Sequence, residues 1–92
     1  MEKERFFYAV ATFQRKDGTI SVNSVTSSVR GEEEDIKFYP LMGIINKVEE
    51  RFGDEAVRGS VVIQSVVEIS KQDYEAYNER LIKMNKIKEE GV

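Results

Sequence analysis

Residues 5–15 read RFFYAVATFQR, and this stretch decides the fold. Its aromatic and β-branched residues are typical of a strand. Side chains alternate between the two faces of a strand, which gives two sets that are both largely apolar. One set is Phe7, Ala9, Ala11 and Phe13, and the other is Phe6, Tyr8, Val10, Thr12 and Gln14. A strand that is apolar on both faces is predicted to lie in the middle of a sheet, with a cover on each side.

A second strand is predicted to follow at residues 19–29. The intervening Asp17-Gly18 pair is a strong hairpin signal, and it favours a type I′ turn with positive φ at both residues. The apolar residues of this strand change parity between Val22 and Val25. Such a slip predicts a β-bulge between them, which would turn Val22 towards the face of Phe13.

The remaining chain predicts a helix, a third strand and a second helix. Pro40 suits a helix start and Gly53 a helix end, so the first helix is expected over residues 40–52. Residues 60–69 alternate in the manner of a strand. Ser70 then resembles an N-cap for a helix that continues to about residue 90.

These elements predict an α+β fold with the order ββαβα, built on a three-stranded antiparallel sheet in strand order 2-1-3. Residues 1–92 are expected to form one domain, and residues 85–92 are expected to be a helix end that projects or frays. Both helices are expected on the face of Phe7. The predicted core is Phe7, Phe13, Ile45, Val48, Val61, Ile63 and Leu81.

The opposite face of this sheet carries the candidate functional residues. They share one expected face without an evident third layer, and they are Phe6, Tyr8, Val10, Val62 and Val66. A contiguous exposed apolar patch usually marks an interaction surface, and a chain of 92 residues buries only roughly 60–65% of its unfolded surface. We therefore expect a homo-oligomer, most simply a dimer. The other possibility is that the second helix covers this face.

The composition argues against catalysis and against metal binding. The chain has no Cys and no His, which removes disulfides, thiolate ligands, the commonest general base and the commonest transition-metal ligand. The acidic run at residues 32–35 lacks the spacing of a calcium loop and is expected to be solvated surface. No catalytic, metal-binding or cofactor-binding residue is predicted. The charged start MEKERFF and the lack of any long apolar run predict a soluble, cytoplasmic protein without a membrane span.

Two functions remain after these exclusions. The first is a non-catalytic interaction module that self-associates through the apolar sheet face or a strand edge, with a further protein partner left open. The alternative is a single-stranded nucleic-acid binder, in which Phe6 and Tyr8 stack on bases. The flanking cations for such a role are Arg5, Arg15, Lys16 and Arg30. The net charge of −3 makes nucleic acid the less favoured partner.

The pattern of elements also resembles a group of known proteins. FFYAVATF, the Asp-Gly hairpin, the Pro-led helix, SVVIQSVVEIS and SKQDYEAY together are similar to small bacterial proteins of unknown function, some of them carried by prophages and mobile elements. The resemblance implies a stand-alone accessory or interaction protein. It implies no particular functional residue.

Overall fold

The computed structural model describes residues 2–90, with side chains described over 2–84. Its elements are β1 (Glu2–Gln14), β2 (Ile20–Glu32), α1 (Leu41–Phe52), β3 (Val62–Ile69) and α2 (Lys71–Glu90). The three strands form one antiparallel sheet in the order β2-β1-β3. The predicted α+β class, element order and strand order are therefore confirmed. The predicted fraying of residues 85–92 concerns side chains and terminal residues that lie outside the described part.

The β1–β2 hairpin is longer and more regular than the sequence predicts. Its register runs without interruption from Glu2 opposite Glu32 to Gln14 opposite Ile20, so the bulge expected in β2 is absent. The small polar residues Ser21 and Asn23 take the core side, and their side chains hydrogen-bond to each other, with Asn23 Nδ2 donating to Ser21 Oγ at 3.0 Å. Val22 consequently lies on the opposite face and is 68% exposed.

The turn of this hairpin also differs from the predicted type I′. Arg15 N–H donates to the Thr19 carbonyl and Gly18 N–H donates to the Arg15 carbonyl, which gives a three-residue loop. Gly18 has a φ of +90°, whereas the φ of Asp17 is not positive. A three-residue loop of this kind needs only one left-handed residue, and glycine supplies it without strain.

The hydrophobic core lies between α1 and the β1 face that carries Phe7. Four of the seven predicted core residues are buried, namely Phe7, Phe13, Val48 and Val61. Ile45 and Ile63 pack against the core while partly exposed. Ile44 of α1, which was not among the predicted core residues, is also fully buried and belongs to the same core cluster. Leu81 is half-buried, and its helix lies on the other side of the sheet.

The expectation that both helices pack on the Phe7 face is wrong. α1 covers that face, but α2 crosses the opposite face over β1 and β2. Ser70 follows β3 and caps α2 as predicted, because its Oγ accepts a hydrogen bond of 3.1 Å from the Asp73 N–H. Each face of β1 thus receives one helix, which is what a strand apolar on both faces requires.

Candidate interaction surface

α2 packs on the sheet face opposite to that of Phe7, which we call the outer face. Aromatic contacts are its main attachment there. The Phe6 ring lies 4.9 Å from the Tyr74 ring, and the Tyr8 ring lies 5.0 Å from the Tyr77 ring. Tilted aromatic pairs at this separation contribute about 0.5–1.5 kcal/mol beyond their buried area. Two of the five predicted interface residues, Phe6 and Tyr8, are therefore covered within the same chain.

A polar contact fixes the same helix over β2. The Thr26 hydroxyl hydrogen-bonds to the side-chain carbonyl oxygen of Asn78, and Thr26 is almost completely buried. The Tyr8 hydroxyl lies 2.9 Å from Ser24 Oγ. Because these buried polar groups have partners, α2 can cover a face that contains hydroxyl groups as well as aromatic rings.

Val66 lies on the opposite face from the other predicted interface residues, which corrects the sequence prediction. The β1–β3 register shifts between Val10 and Ala11, so that Ala9 lies opposite Val66 and Ala11 lies opposite Ile63. Gln64 is the extra residue of this bulge, and its Nε2 donates to Thr12 Oγ1 at 3.0 Å. Residues that lie directly opposite each other share a face, so Val66 joins the core side.

Val67 takes the place that was predicted for Val66. It lies opposite Tyr8 on the outer face and is 51% exposed. Val62 lies opposite Thr12 on that face and is 53% exposed, while Val10 is half-buried between β2 and β3. We call Val10, Val62 and Val67 the β3 surface. Because α2 crosses β1 and β2, this surface extends beside the helix to the edge of the sheet.

The two edges of the sheet differ in their protection. On β2, the Lys47 ammonium donates to the Thr26 carbonyl, and Arg30 pairs with Glu2 at 3.3 Å. Charged side chains of this kind discourage another strand from pairing with an edge. β3 reads VIQSVVEI and contains neither Lys nor Pro, and in the part of the chain that the structure describes its outer edge pairs with no strand.

Glu68, the one charged residue of β3, is already paired within the chain. Both of its carboxylate oxygens accept hydrogen bonds from Arg5, at 3.0 and 2.7 Å. This hydrogen bonding, together with the charge of the guanidinium, lowers the pKa of Glu68, and the same hydrogen bonds with the charge of the carboxylate raise the pKa of Arg5. Arg5 also donates to the Ile36 carbonyl and lies over the Phe7 ring. The negative charge of Glu68 at this edge is therefore balanced by the positive charge of Arg5.

A second exposed apolar segment spans the end of the connector and the start of α1, and it was not predicted from the sequence. Phe38 and Met42 are well exposed there, with Leu41 between them less so. Val67 was missed because the bulge at Gln64 changes the face of every later residue in β3. Phe38 could have been noticed from its position after an acidic run, where no predicted element covers it.

The described residues were compared with the requirements of a metal site and of a membrane span. They contain no cluster of three or more His, Cys, Asp or Glu side chains that could hold a metal ion. In the acidic run, Glu33 forms an ion pair of 3.1 Å with Lys3. None of the helices within residues 2–90 is long and apolar enough to cross a membrane.

Comparisons with protein-family models, with curated proteins and with solved structures find no match for this chain.

Proposed function

We propose that the protein is a non-catalytic interaction module that self-associates through the β3 surface and the adjoining strand edge. The observation that carries this proposal is the pair of half-exposed valines, Val62 and Val67, on an edge strand with no unpaired charge. Of the five interface residues predicted from the sequence, Val10 and Val62 remain in the proposed interface, and Val67 is added to them. A reduced, cytoplasmic setting belongs to the same proposal and is supported by the absence of Cys. An origin among small bacterial or prophage-borne proteins stays a prediction.

The magnitude of the apolar contribution favours moderate affinity. Full burial of a valine stabilises by roughly 1.5–3 kcal/mol, and these two valines are half-exposed in each copy. Burying the exposed half of these four side chains would stabilise a dimer by about 3–6 kcal/mol. Association costs about 4–15 kcal/mol in lost freedom of motion, so this apolar contribution offsets only the lower part of that range. Main-chain hydrogen bonds along the edge must supply the remainder. We expect dimers at about micromolar concentration.

The direct test places lysine on the β3 surface. Val67→Lys should give a monomer by light scattering with an unchanged circular-dichroism spectrum, because this side chain points away from the core. Val22→Lys is the matched control, since Val22 is an exposed valine on the same face but belongs to the opposite edge strand. This control should remain dimeric. A monomeric unmodified protein at high micromolar concentration would overturn the proposal.

Binding of single-stranded nucleic acid receives less support from the structure. The rings of Phe6 and Tyr8 face Tyr74 and Tyr77, so bases could stack on them only after α2 moved away. Three of the four flanking cations have acidic neighbours, since Arg5 pairs with Glu68, Arg15 with Glu55 and Arg30 with Glu2. We therefore make no proposal of nucleic-acid binding.

A further inference from the structure

We propose that two copies pair edge to edge through β3, in antiparallel orientation, with the two-fold axis at Val67. The two sheets then form one continuous six-stranded sheet. This inference rests on the proposed function and adds the geometry of the partner to it. The partner is a second copy of the same chain because this edge is complementary to itself.

The bulge at Gln64 limits the part of β3 that can pair regularly. The register is uninterrupted from Ser65 to Ile69, and the midpoint of these five residues is Val67. In an antiparallel pair with two-fold symmetry, the central residue lies opposite itself and its neighbours lie opposite each other. Val67 then meets the partner's Val67, and Ser65 meets the partner's Ile69.

This register keeps each type of side chain on its proper face. Val67, Ser65 and Ile69 all lie on the outer face of the sheet, because they are opposite Tyr8, Val10 and Phe6 of β1. Val66 and Glu68 lie on the core face and become neighbours across the new boundary. Directly opposed side chains must share a face, and in this arrangement every opposed pair does.

Two neighbouring registers are less favourable. With the axis at Val66, Val67 lies opposite the partner's Ser65, and the pairing extends into the bulge at Gln64. An axis at Glu68 brings two carboxylates directly opposite each other, and like charges in that position destabilise a sheet. With the axis at Val67, each Glu68 keeps its bidentate hydrogen bonds to Arg5 of its own chain.

Steric access to this edge is consistent with the arrangement. α2 begins at Lys71, directly after β3, and then crosses towards β1 and β2, away from the outer edge. α1 packs on the core face. In the joined sheet the two copies of α1 lie on one face and the two copies of α2 lie on the other, so neither pair of helices separates the strands.

Single cysteines test this geometry cleanly because the chain has none of its own. A residue on the two-fold axis lies within about 4.5–5.5 Å of its own copy between Cα atoms, which suits a disulfide. Val67→Cys should therefore form a disulfide-linked dimer under mild oxidation, about tenfold or more faster than the exposed control Val22→Cys at the same concentration. The reduced Val67→Cys protein should keep the circular-dichroism spectrum of the unmodified chain.

The outcomes separate the two proposals. Fast crosslinking of Val67→Cys, together with a dimeric mass for the unmodified protein, supports the edge-to-edge dimer. A dimeric mass with crosslinking no faster than that of Val22→Cys overturns the geometry and leaves self-association standing. A monomeric mass for the unmodified protein at high micromolar concentration overturns both.

Discussion

At the scale of single residues, Arg5 connects parts of the chain that are far apart in sequence. It pairs with Glu68 on β3, donates to the Ile36 carbonyl in the connector before α1, and lies over the aromatic rings of Phe7 and Tyr39. One planar guanidinium satisfies all of these contacts, which a lysine could not do. The pair with Glu68 therefore fixes β3 against β1 at the end where α2 begins.

This pair predicts a specific dependence of stability on pH. Hydrogen bonds from Arg5 lower the pKa of Glu68 in the folded chain, so ionised Glu68 stabilises the fold above its unfolded pKa, roughly 4.3. The contribution is lost as the pH falls through the lowered, folded pKa. Glu68→Gln should consequently lower the free energy of unfolding at pH 7, and the difference from the unmodified protein should shrink below about pH 4.

Urea denaturation at pH 7 and pH 3 measures this effect. Glu34→Gln is the matched control, because it removes the same charge from the exposed connector. The control variant should show a much smaller difference at both pH values. An equal loss of stability for Glu68→Gln at pH 7 and at pH 3 would mean that the carboxylate charge is not what holds Arg5.

At the scale of elements, the placement of α2 decides which part of the outer face is available. Its contact with the sheet depends on a few side chains, chiefly Tyr74, Tyr77 and Asn78, while Ile82 and Met84 are exposed. A helix with few buried apolar contacts opens more readily than a core element. We therefore expect the amides of α2 to exchange faster than those of α1.

Truncation of one tyrosine tests how α2 is attached. Tyr74→Ala removes the ring against Phe6 and should destabilise the docked helix by about 1–3 kcal/mol, through lost burial and the lost ring pair. Hydrogen exchange within residues 71–84 should accelerate, while exchange in α1 stays nearly unchanged. Met84→Ala, at an exposed position of the same helix, is the control and should leave both rates unchanged. Uniform acceleration throughout the chain would show instead that α2 opens only with the whole domain.

The sequence predicts the elements of this fold well because their signals are local. Alternation in residues 5–15, the Asp-Gly turn and the Ser70 cap each depend on neighbouring residues. The choice of sheet face for α2 does not depend on a local signal. The stripe of Tyr74, Tyr77 and Leu81 could pack on either face, because both faces of the sheet are apolar. The bulge at Gln64 is equally hidden, because it depends on the register with β1 and then reverses the faces of Val66 and Val67.

At the scale of the whole molecule, the sheet has one protected edge and one open edge. Lys47 and Arg30 occupy the β2 side, whereas β3 presents Val62 and Val67 beside a neutralised Glu68. A small domain with such an edge gains stability when the edge is covered by a second copy. Folding and association should then be thermodynamically linked.

This linkage gives a prediction that needs no probe beyond the protein itself. A partner that binds only the folded state raises the thermal midpoint, and for a dimer the midpoint must rise with protein concentration. The unmodified chain should therefore melt at a higher temperature when its concentration is raised about a hundredfold through the micromolar range. Val67→Lys should melt at one temperature throughout, near that of the diluted parent protein, because Val67 is not part of the monomer core. A midpoint of the unmodified protein that stays constant over this range would show that β3 remains uncovered in solution, and that α1 and α2 alone provide the stability of the sheet.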